Sequence, residues 1–453
     1  MQSNPKNDSV QNVKNEILNK IKSKQLKIGV AGMGYVGLPL TMAFVQAGLP
    51  VCGFDNDALK VKMLNESKSY IDYIPDQAIA NLNETKLFSS TGDFSGFKDV
   101  DVILMCVPTP LTKNREPDMS YVVKTAEEIS KRLRPGHVIV LESTTYPGTT
   151  AGLIKDILET TGYVEGRDFF LGYSPEREDP GNAHFKVTST PKIVGADDPV
   201  GLEIIVAIYE QIVEKVVPVS SCATAEATKL TENIFRCVNI ALINELKTIY
   251  DRMNIDIWEV VEAAKTKPFG YMPFYPGPGI GGHCIPIDPF YLTWKAREFG
   301  LSTRFIELAG EINHHMPVYV IQKLAEALDQ KFSKGLRGSK ILLSGLAYKK
   351  NVDDVRESPS LEILEILKTR GADVSFHDPF VPVIPKLHEF PTLDGMKSVD
   401  INPERLKTFD AILICTDHDQ VDYSAYAKYA PIIVDTRNAM KAITAHEAKI
   451  VKA

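Results

Sequence analysis

KIGVAGMGYVGLPLTMAFVQAG, residues 27 to 48, decides the fold. KIGVAG is a short apolar run of the kind that forms a buried strand, and LPLTMAFVQAG has helical period and stops at Gly48. Between them stands Gly32-Met33-Gly34-Tyr35-Val36-Gly37. A GxGxxG motif alone occurs by chance in many chains, and a glycine-rich turn with no ligand is its rival reading. Here the motif leaves a strand, opens a helix, and is followed by Asp55 at the end of the next strand, VCGF (51 to 54). That context is what a dinucleotide requires. The glycines permit the tight turn and let backbone N–H groups approach a pyrophosphate seated at the helix N-terminus. A carboxylate at Asp55 accepts from the adenosine ribose hydroxyls and repels a 2′-phosphate, which favours NAD over NADP. Lys60, five residues on, weakens that preference.

Outward from this stretch the chain alternates strands and helices, the pattern of a parallel sheet covered on both faces. DVILMCV (101 to 107), HVIVLES (137 to 143) and DFFLGYS (168 to 174) continue the strand series, and a long helical segment runs from about Ala223 to Arg252. After Gly335 the alternation restarts with KILLSGLAY, ESPSLEILEILKTRG, DVSFHDP, DAILICTD and PIIVDTR. The expected fold class is α/β, with two Rossmann-like, doubly wound parallel-sheet domains joined by a long central helix. The boundaries expected are 1–25 for an N-terminal extension, 26–218 for an NAD-binding domain, 219–330 for a helical middle, and 331–453 for the second α/β domain. In the extension, Val10, Val13, Ile17 and Ile21 recur at helical spacing, predicting an amphipathic helix from Asp8 or Ser9 that docks on the body or on another subunit.

Composition narrows the classes. The chain has 453 residues, 44% hydrophobic and 24% charged, ordinary for a soluble globular protein of two or three domains. A net charge of -7 argues against a general nucleic-acid binder, while leaving room for a local basic pocket. Six scattered cysteines do not form a disulfide framework, and neither they nor the nine histidines have structural zinc spacing, so no metal is expected. The N-terminus lacks a signal-peptide core and no apolar run could cross a bilayer, so the expected setting is the cytoplasm, without membrane attachment.

GPGIGGHCIPIDP, residues 277 to 289, carries the second motif. Nine of the twenty positions from 265 to 284 are Gly or Pro, which excludes a regular helix or central strand there. Cys52, Cys106 and Cys415 lie in apolar strands and read as small core residues. Cys284 instead sits in an open loop beside His283 and Asp288, a setting that suits a nucleophile if exposure and neighbours favour the thiolate. A loop cysteine with no special role is the alternative. On the long helix, Lys229, Asn233 and Arg236 are spaced i, i+4, i+7 and share a face. A solvated polar stripe is the usual explanation; the sharper one lays an ammonium and an amide against a reacting carbonyl oxygen.

Two more segments sit where α/β sheets place ligands, beyond the carboxyl ends of strands. YSPEREDPG (173 to 181) gathers Glu176, Arg177, Glu178 and Asp179. YKKNVDDVRESPS (348 to 360) occupies the first turn of the second α/β unit and lacks GxGxxG. Its Lys349, Lys350 and Arg356 suit phosphate, and Ser358 and Pro359 suit the N-cap and first position of the next helix.

GMGYVGLPL, CVPTP, ESTTYPGTT, YSPEREDPG, KLTEN, GPGIGGHCIPIDP and YKKNVDDVRESPS, in this order over nearly all of the chain after residue 26, closely resemble the UDP-glucose/GDP-mannose dehydrogenase family. SPEREDPG and YPGPGIGGHCIPIDPFYLTWKA resemble more narrowly its UDP-N-acetyl-D-glucosamine 6-dehydrogenases of surface-polysaccharide synthesis. The resemblance implies a four-electron oxidation of a UDP-sugar at C6. Hydride goes to a first NAD, Cys284 captures the aldehyde as a thiohemiacetal, and hydride transfer to a second NAD leaves a thioester that water hydrolyses. It also implies the roles. Lys229 and Asn233 stabilise the oxygen, Asp288 organises the lysine and a water, and Glu176 is the base for hydrolysis. Thr109 and Thr144 match threonines beside the nicotinamide, and Arg356 matches an arginine reaching the cofactor. Tyr348 and Lys349 match positions that hold the phosphates or uridine, with Gly279 in the same substrate loop. The family implies a homodimer or larger homo-oligomer.

Two positions depart from the UDP-glucose enzymes. Tyr275 stands where many have lysine, and Pro268 where they have arginine, with Lys265 and Lys267 the nearby cations. An acetamido group needs room and a hydrogen-bond partner rather than charge, which fits this change. Arg236, Arg177 and Glu178 are the expected sugar or phosphate contacts. UDP-ManNAc, UDP-GalNAc and UDP-glucose remain as substrates. A single-step hydroxy-acid dehydrogenase would leave the cysteine loop and second α/β unit unexplained, and an NAD-sensing scaffold would leave Cys284 idle.

Overall fold

A computed structural model describes residues 5–453 apart from 72, 113, 115, 178–187, 283 and 388. Two compact units emerge, Met1–Glu232 with Phe290–Leu301, and Asn233–Pro289 with Ser302–Ala453.

The first unit holds an eight-stranded sheet. Its strands are β1 (Ile28–Ala31), β2 (Val51–Phe54), β3 (Phe88–Thr91), β4 (Val102–Met105), β5 (Val138–Leu141), β6 (Phe170–Tyr173), β7 (Lys192–Gly195) and β8 (Val216–Val219). The order β3-β2-β1-β4-β5-β6 reverses between β1 and β4, which places the ligand crevice of a dinucleotide fold beside the end of β1. Successive residues feed opposite cores: Val102, Leu104, Val138 and Val140 join one cluster, while Ile103, Met105, Ile139 and Leu141 join the other. A strand apolar on both sides needs cover on both faces, which is why these segments read as unbroken apolar runs. The sheet is not wholly parallel. β7 meets β6 antiparallel through the single pair Tyr173 and Gly195, and β8 then runs parallel to β7.

The N-terminal helix spans Pro5–Lys22, three residues earlier than its polar sequence suggests. A proline fits the first turn, where its missing N–H costs nothing. Ile17 and Ile21 are buried in the core of the sheet, with Val10 and Val13 partly buried against it. Lys20 donates to Asp101 at 3.0 Å, and Lys14 pairs with Glu203 on helix Pro199–Tyr209. The helix therefore docks on the body of its own chain.

The second unit holds a five-stranded, all-parallel sheet of β9 (Lys340–Ser344), β10 (Asp373–His377), β11 (Ala411–Ile414), β12 (Ile432–Asp435) and β13 (Lys449–Lys452), ordered β10-β9-β11-β12-β13. Its residues also divide between two cores, Ile341, Leu343, Ala411 and Leu413 on one side, Leu342, Ile412 and Ile414 on the other. Ser358 caps helix Pro359–Thr369 by accepting from the Ser360 N–H, with proline in the first turn, as expected. The long helix runs Cys222–Arg252, and another long helix, Arg304–Phe332, continues through an internal Pro317. No helix among the described residues is long and apolar enough to cross a membrane.

Candidate active site

The glycines after β1 have separate jobs. A Cβ on Gly32 would lie 2.5 Å from the Cys106 carbonyl oxygen, and one on Gly37 would lie 1.9 Å from the Gly32 oxygen. A Cβ on Gly34 would meet nothing within 4 Å. Two glycines are thus required by the protein itself, and the third faces open space at the head of helix Gly37–Gln46, whose Val36 cap contributes no side-chain bond. Uncapped N–H groups beside an open glycine are what a pyrophosphate needs. Tyr35 flanks the opening, its ring 6.1 Å from that of Tyr73.

Asp55 is buried and accepts from the Met33 and Asp57 N–H groups, both at 2.9 Å, so it fastens the glycine loop to the end of β2. A carboxylate has about four acceptor sites, which leaves capacity for ribose hydroxyls. The Lys60 ammonium stands 3.7 Å from it. Thr109 and Thr144 are half-buried beyond the ends of β4 and β5, and the Thr109 carbonyl accepts from the Tyr291 hydroxyl at 2.6 Å. These residues fit NAD.

The loop after β6 is pinned by lysines. The Glu176 carbonyl accepts from Lys229 Nζ at 2.6 Å, and the Pro175 carbonyl accepts from Lys192 Nζ at 3.2 Å. Arg177 turns its guanidinium onto Glu232, with Nη2 donating at 2.6 Å, and onto the Pro191 carbonyl at 2.7 Å. It ties the loop to the long helix. Glu178 and Asp179 lie outside the described residues.

Lys229 and Asn233 are both buried, 8% and 4% exposed, so the stripe on the long helix is not a solvated face. Arg236, on the same face one turn further, is exposed. In the second unit Asn233 donates through Nδ2 to Asp288 Oδ2 at 2.5 Å. Asp288 opens helix Asp288–Arg297, where a carboxylate complements the helix dipole. The Ile287 and Asp288 N–H groups both donate to the Cys284 carbonyl, at 3.2 and 2.8 Å, which fastens the cysteine to that helix start. Cys284 is exposed, whereas Cys222, Cys237 and Cys415 are buried and Cys52 and Cys106 half-buried. His283 lies outside the described residues.

Close approach explains the glycines around Cys284. A Cβ on Gly281 would lie 2.7 Å from Tyr348 Cβ, and one on Gly282 (φ +88°) 2.9 Å from the Tyr348 ring. The Gly282 N–H donates to the Arg356 carbonyl at 3.2 Å. Gly279 packs likewise against Pro359. The Cys284 loop therefore lies flush on the first turn of the second sheet, where Tyr348 and Lys349 are half-buried. Arg356 forks onto Asp354 at 2.8 and 2.6 Å. Tyr275 stacks on Trp258 at 5.7 Å between ring centroids and donates to Glu262 at 2.7 Å, with Lys265 on the same carboxylate.

Two polar clusters escape motif reading. Asp378, at the end of β10, accepts from the Leu346 and Ala347 N–H groups and from His418 Nε2, repeating in the second sheet the task of Asp55 in the first. Lys192, Glu142 and Tyr209 meet beneath the Glu176 loop. Their separation along the chain leaves no local signal. Among the described residues no group of three or more His, Cys, Asp or Glu is arranged to hold a metal.

The chain matches the NAD-binding domain of the UDP-glucose/GDP-mannose dehydrogenase family over residues 26–213, its central domain over 223–315 and its UDP-binding domain over 342–442. It is 37% identical over 369 residues to a UDP-N-acetyl-D-glucosamine 6-dehydrogenase of Pseudomonas aeruginosa, spanning 81% of this chain and 86% of that one. It is 32% identical to a UDP-N-acetyl-D-mannosamine dehydrogenase of Pyrococcus horikoshii, over 92% of this chain and 96% of that one. A solved UDP-D-ManNAc dehydrogenase from Pyrococcus horikoshii superposes with a TM-score of 0.83 at 30% identity, covering 91% of this chain and 96% of the other. The chain belongs to the UDP-glucose/GDP-mannose dehydrogenase family, and is an NAD-dependent nucleotide-sugar dehydrogenase.

Proposed function

We propose that this enzyme oxidises the C6 hydroxymethyl group of UDP-N-acetyl-D-glucosamine to the carboxylate, with Cys284 as covalent nucleophile, for surface-polysaccharide synthesis. The observation that carries the reading is exposed Cys284 on a turn bonded to Asp288, itself bonded to Asn233. Gly32–Gly37, Asp55, Thr109, Thr144 and Arg356 would hold NAD, which would supply the hydride acceptor. The Cys284 thiolate adds to the C6 aldehyde, and a second oxidation at C6 leaves a thioester. Water then attacks the acyl carbon, the sulfur leaves as thiolate, and Glu176 takes the water's proton. The Lys229 ammonium and the second Asn233 amide N–H stabilise the oxyanion of the tetrahedral stages, with Asp288 fixing the amide. Tyr348, Lys349, Gly279, Tyr275, Arg236, Arg177 and Glu178 are assigned to the UDP-sugar.

By domain, residues 1–25 form the N-terminal extension, 26–218 the NAD-binding part, 219–330 the helical part with the cysteine loop, and 331–453 the UDP-sugar part. Six scattered cysteines with no framework spacing suit a reducing cytoplasm. The sugar assignment rests on the P. aeruginosa relative and on uncharged Tyr275 and Pro268. UDP-N-acetyl-D-mannosamine is the second reading, favoured by the Pyrococcus relative and structure. A panel of UDP-GlcNAc, UDP-ManNAc, UDP-GalNAc and UDP-glucose, followed by NADH and product analysis, decides between them. Two NADH per sugar and a uronic acid are expected. Cys284→Ala should abolish acid formation, and one NADH per sugar would sink the four-electron reading.

A further inference from the structure

Beneath the Glu176 loop lies a charge cluster that the chemistry above leaves unused. Glu142 follows β5, Lys192 opens β7 and Tyr209 ends helix Pro199–Tyr209. Lys192 Nζ donates to Glu142 Oε2 at 2.7 Å and to the Pro175 carbonyl at 3.2 Å, and stands 3.8 Å from Glu176 Oε2. The Tyr209 hydroxyl donates to the other oxygen of Glu142, and its ring lies 5.2 Å beneath the ammonium. Burial alone would lower the Lys192 ammonium, but Glu142 and Glu176 outweigh it and hold the group above the ordinary lysine range.

A buried ion pair is a poor way to add stability, because well-packed apolar residues do as well. Side-chain exposure is 0% at Glu142, 5% at Lys192 and 16% at Glu176, so Glu176 is the most exposed of the three. From Lys192 the polar contacts run on to the turn that carries that residue. Lys192 and Lys229 hold the carbonyls of consecutive residues, Pro175 and Glu176, and the Arg177 N–H donates to Glu176 Oε1 at 2.6 Å. The Lys192 ammonium bonds Glu142 at 2.7 Å and stays within ion-pair range of Glu176 at 3.8 Å, so it links the buried carboxylate to the loop.

We propose that Lys192, charge-balanced by Glu142 and Tyr209, is a positioning residue for thioester hydrolysis: it fixes the Pro175–Glu176 turn so that Glu176 is held ready to take the proton of the attacking water. The proposal rests on Glu176 being the base of that step. In the step itself, the water oxygen joins the acyl carbon, the carbon–sulfur bond breaks toward Cys284, and the proton passes to Glu176.

The test uses the full-length enzyme with NAD and the panel sugar it oxidises fastest, reading rapid-mix NADH and intact mass. Lys192→Met should release two NADH per site at close to the parent's rate, then turn over roughly tenfold or more slowly. The acyl adduct should accumulate on the 277–289 peptide, and Lys192→Arg should restore steady turnover at least in part. Glu142→Gln, of similar volume, should show the same burst followed by slow release, and it decides the matter alone should Lys192→Met fail to fold. Burst and steady rate falling together, neither falling, or no adduct would each overturn the proposal. Glu176→Gln runs in parallel. If it accumulates adduct and the Lys192 and Glu142 variants do not, only the positioning role falls; if it accumulates none, Glu176 is not the base and both readings fall.

Discussion

Gly34 and Gly37 stand three residues apart in one loop and answer different demands. Gly37 has the Gly32 carbonyl where a Cβ would go, whereas Gly34 has only open space. Gly37→Ala should therefore damage folding, and Gly34→Ala should fold normally while crowding the approach of the pyrophosphate. The check is a pair of measurements on each variant, thermal midpoint and NAD affinity. Gly34→Ala is expected to weaken NAD by roughly tenfold or more, about 1.4 kcal/mol, at an unchanged midpoint; unweakened binding would remove the pyrophosphate from this loop. Asn233→Ala should lower kcat about 100-fold or more, the usual cost of one oxyanion donor, with the UDP-sugar KM little changed. A large KM rise at constant kcat would make Asn233 a binding group instead. At this scale the sequence is readable wherever the residues concerned are neighbours along the chain or along one helix: the glycine loop, two of whose glycines the backbone requires, and Lys229 with Asn233, both buried on one helix. It was silent for Glu142, Lys192 and Tyr209, which only strand pairing brings together. Nor does the position of Arg177 in a ligand loop hint that Glu232 accepts from its guanidinium.

Elements inherit their reasons from such residues. The N-terminal helix was visible as a four-residue stripe, but a stripe does not say what it covers. The buried Ile17 and Ile21 answer that, and burying such side chains is worth about 2 kcal/mol each. Ile17→Ala should cost about 2–4 kcal/mol in denaturant unfolding of the domain that carries it; no shift in midpoint would mean the helix is not docked in solution. The direction of β7 could not be read at all, because an isolated apolar run looks the same whichever way it pairs. His137, at the start of β5, ties a strand to pH. Burial, then the Arg134 guanidinium, pushes its imidazole down to about 4. Its Nδ1 accepts from the Arg134 N–H at 3.3 Å and its Nε2–H bonds the Val100 carbonyl at 3.1 Å. The unfolded chain, with a histidine near its ordinary value, binds the proton first. Stability is thus fully present above about pH 6.5 and is lost toward pH 4, by about 3 kcal/mol from this group. Unfolding free energies of the parent and of His137→Gln, measured across that range, should converge by this amount as pH falls. A constant gap would mean that the histidine is not held neutral.

In the whole molecule one plan is used twice. Asp55 and Asp378 each end the second strand of a parallel sheet and each accept backbone N–H groups from the turn after the first strand. Only the first turn carries GxGxxG, and in the second His418 occupies the carboxylate. That repetition is legible as alternation resuming after Gly335, whereas which side chains of the long helix stay exposed is not, because that depends on what the rest of the chain covers. On the long helix Phe235, Leu242 and Ile249 are 46%, 50% and 46% exposed. Their spacings of seven and seven put them on one face. Monomers seldom leave such a run of large apolar groups in water, and a helix face meeting its own copy about a two-fold axis would cover it. Each side chain is already about half buried, so covering the rest would contribute on the order of 1 kcal/mol apiece, and three per subunit would give a two-fold contact several kcal/mol before entropic costs. Replacing the central one with a charge leaves the fold intact, since Leu242 touches no core, but places a carboxylate at the middle of the contact. Leu242→Asp should therefore sediment at half the parent's mass at micromolar concentration, with its secondary structure unchanged. A parent enzyme that already sediments as a 50.2 kDa monomer would leave this stripe without the partner assigned to it.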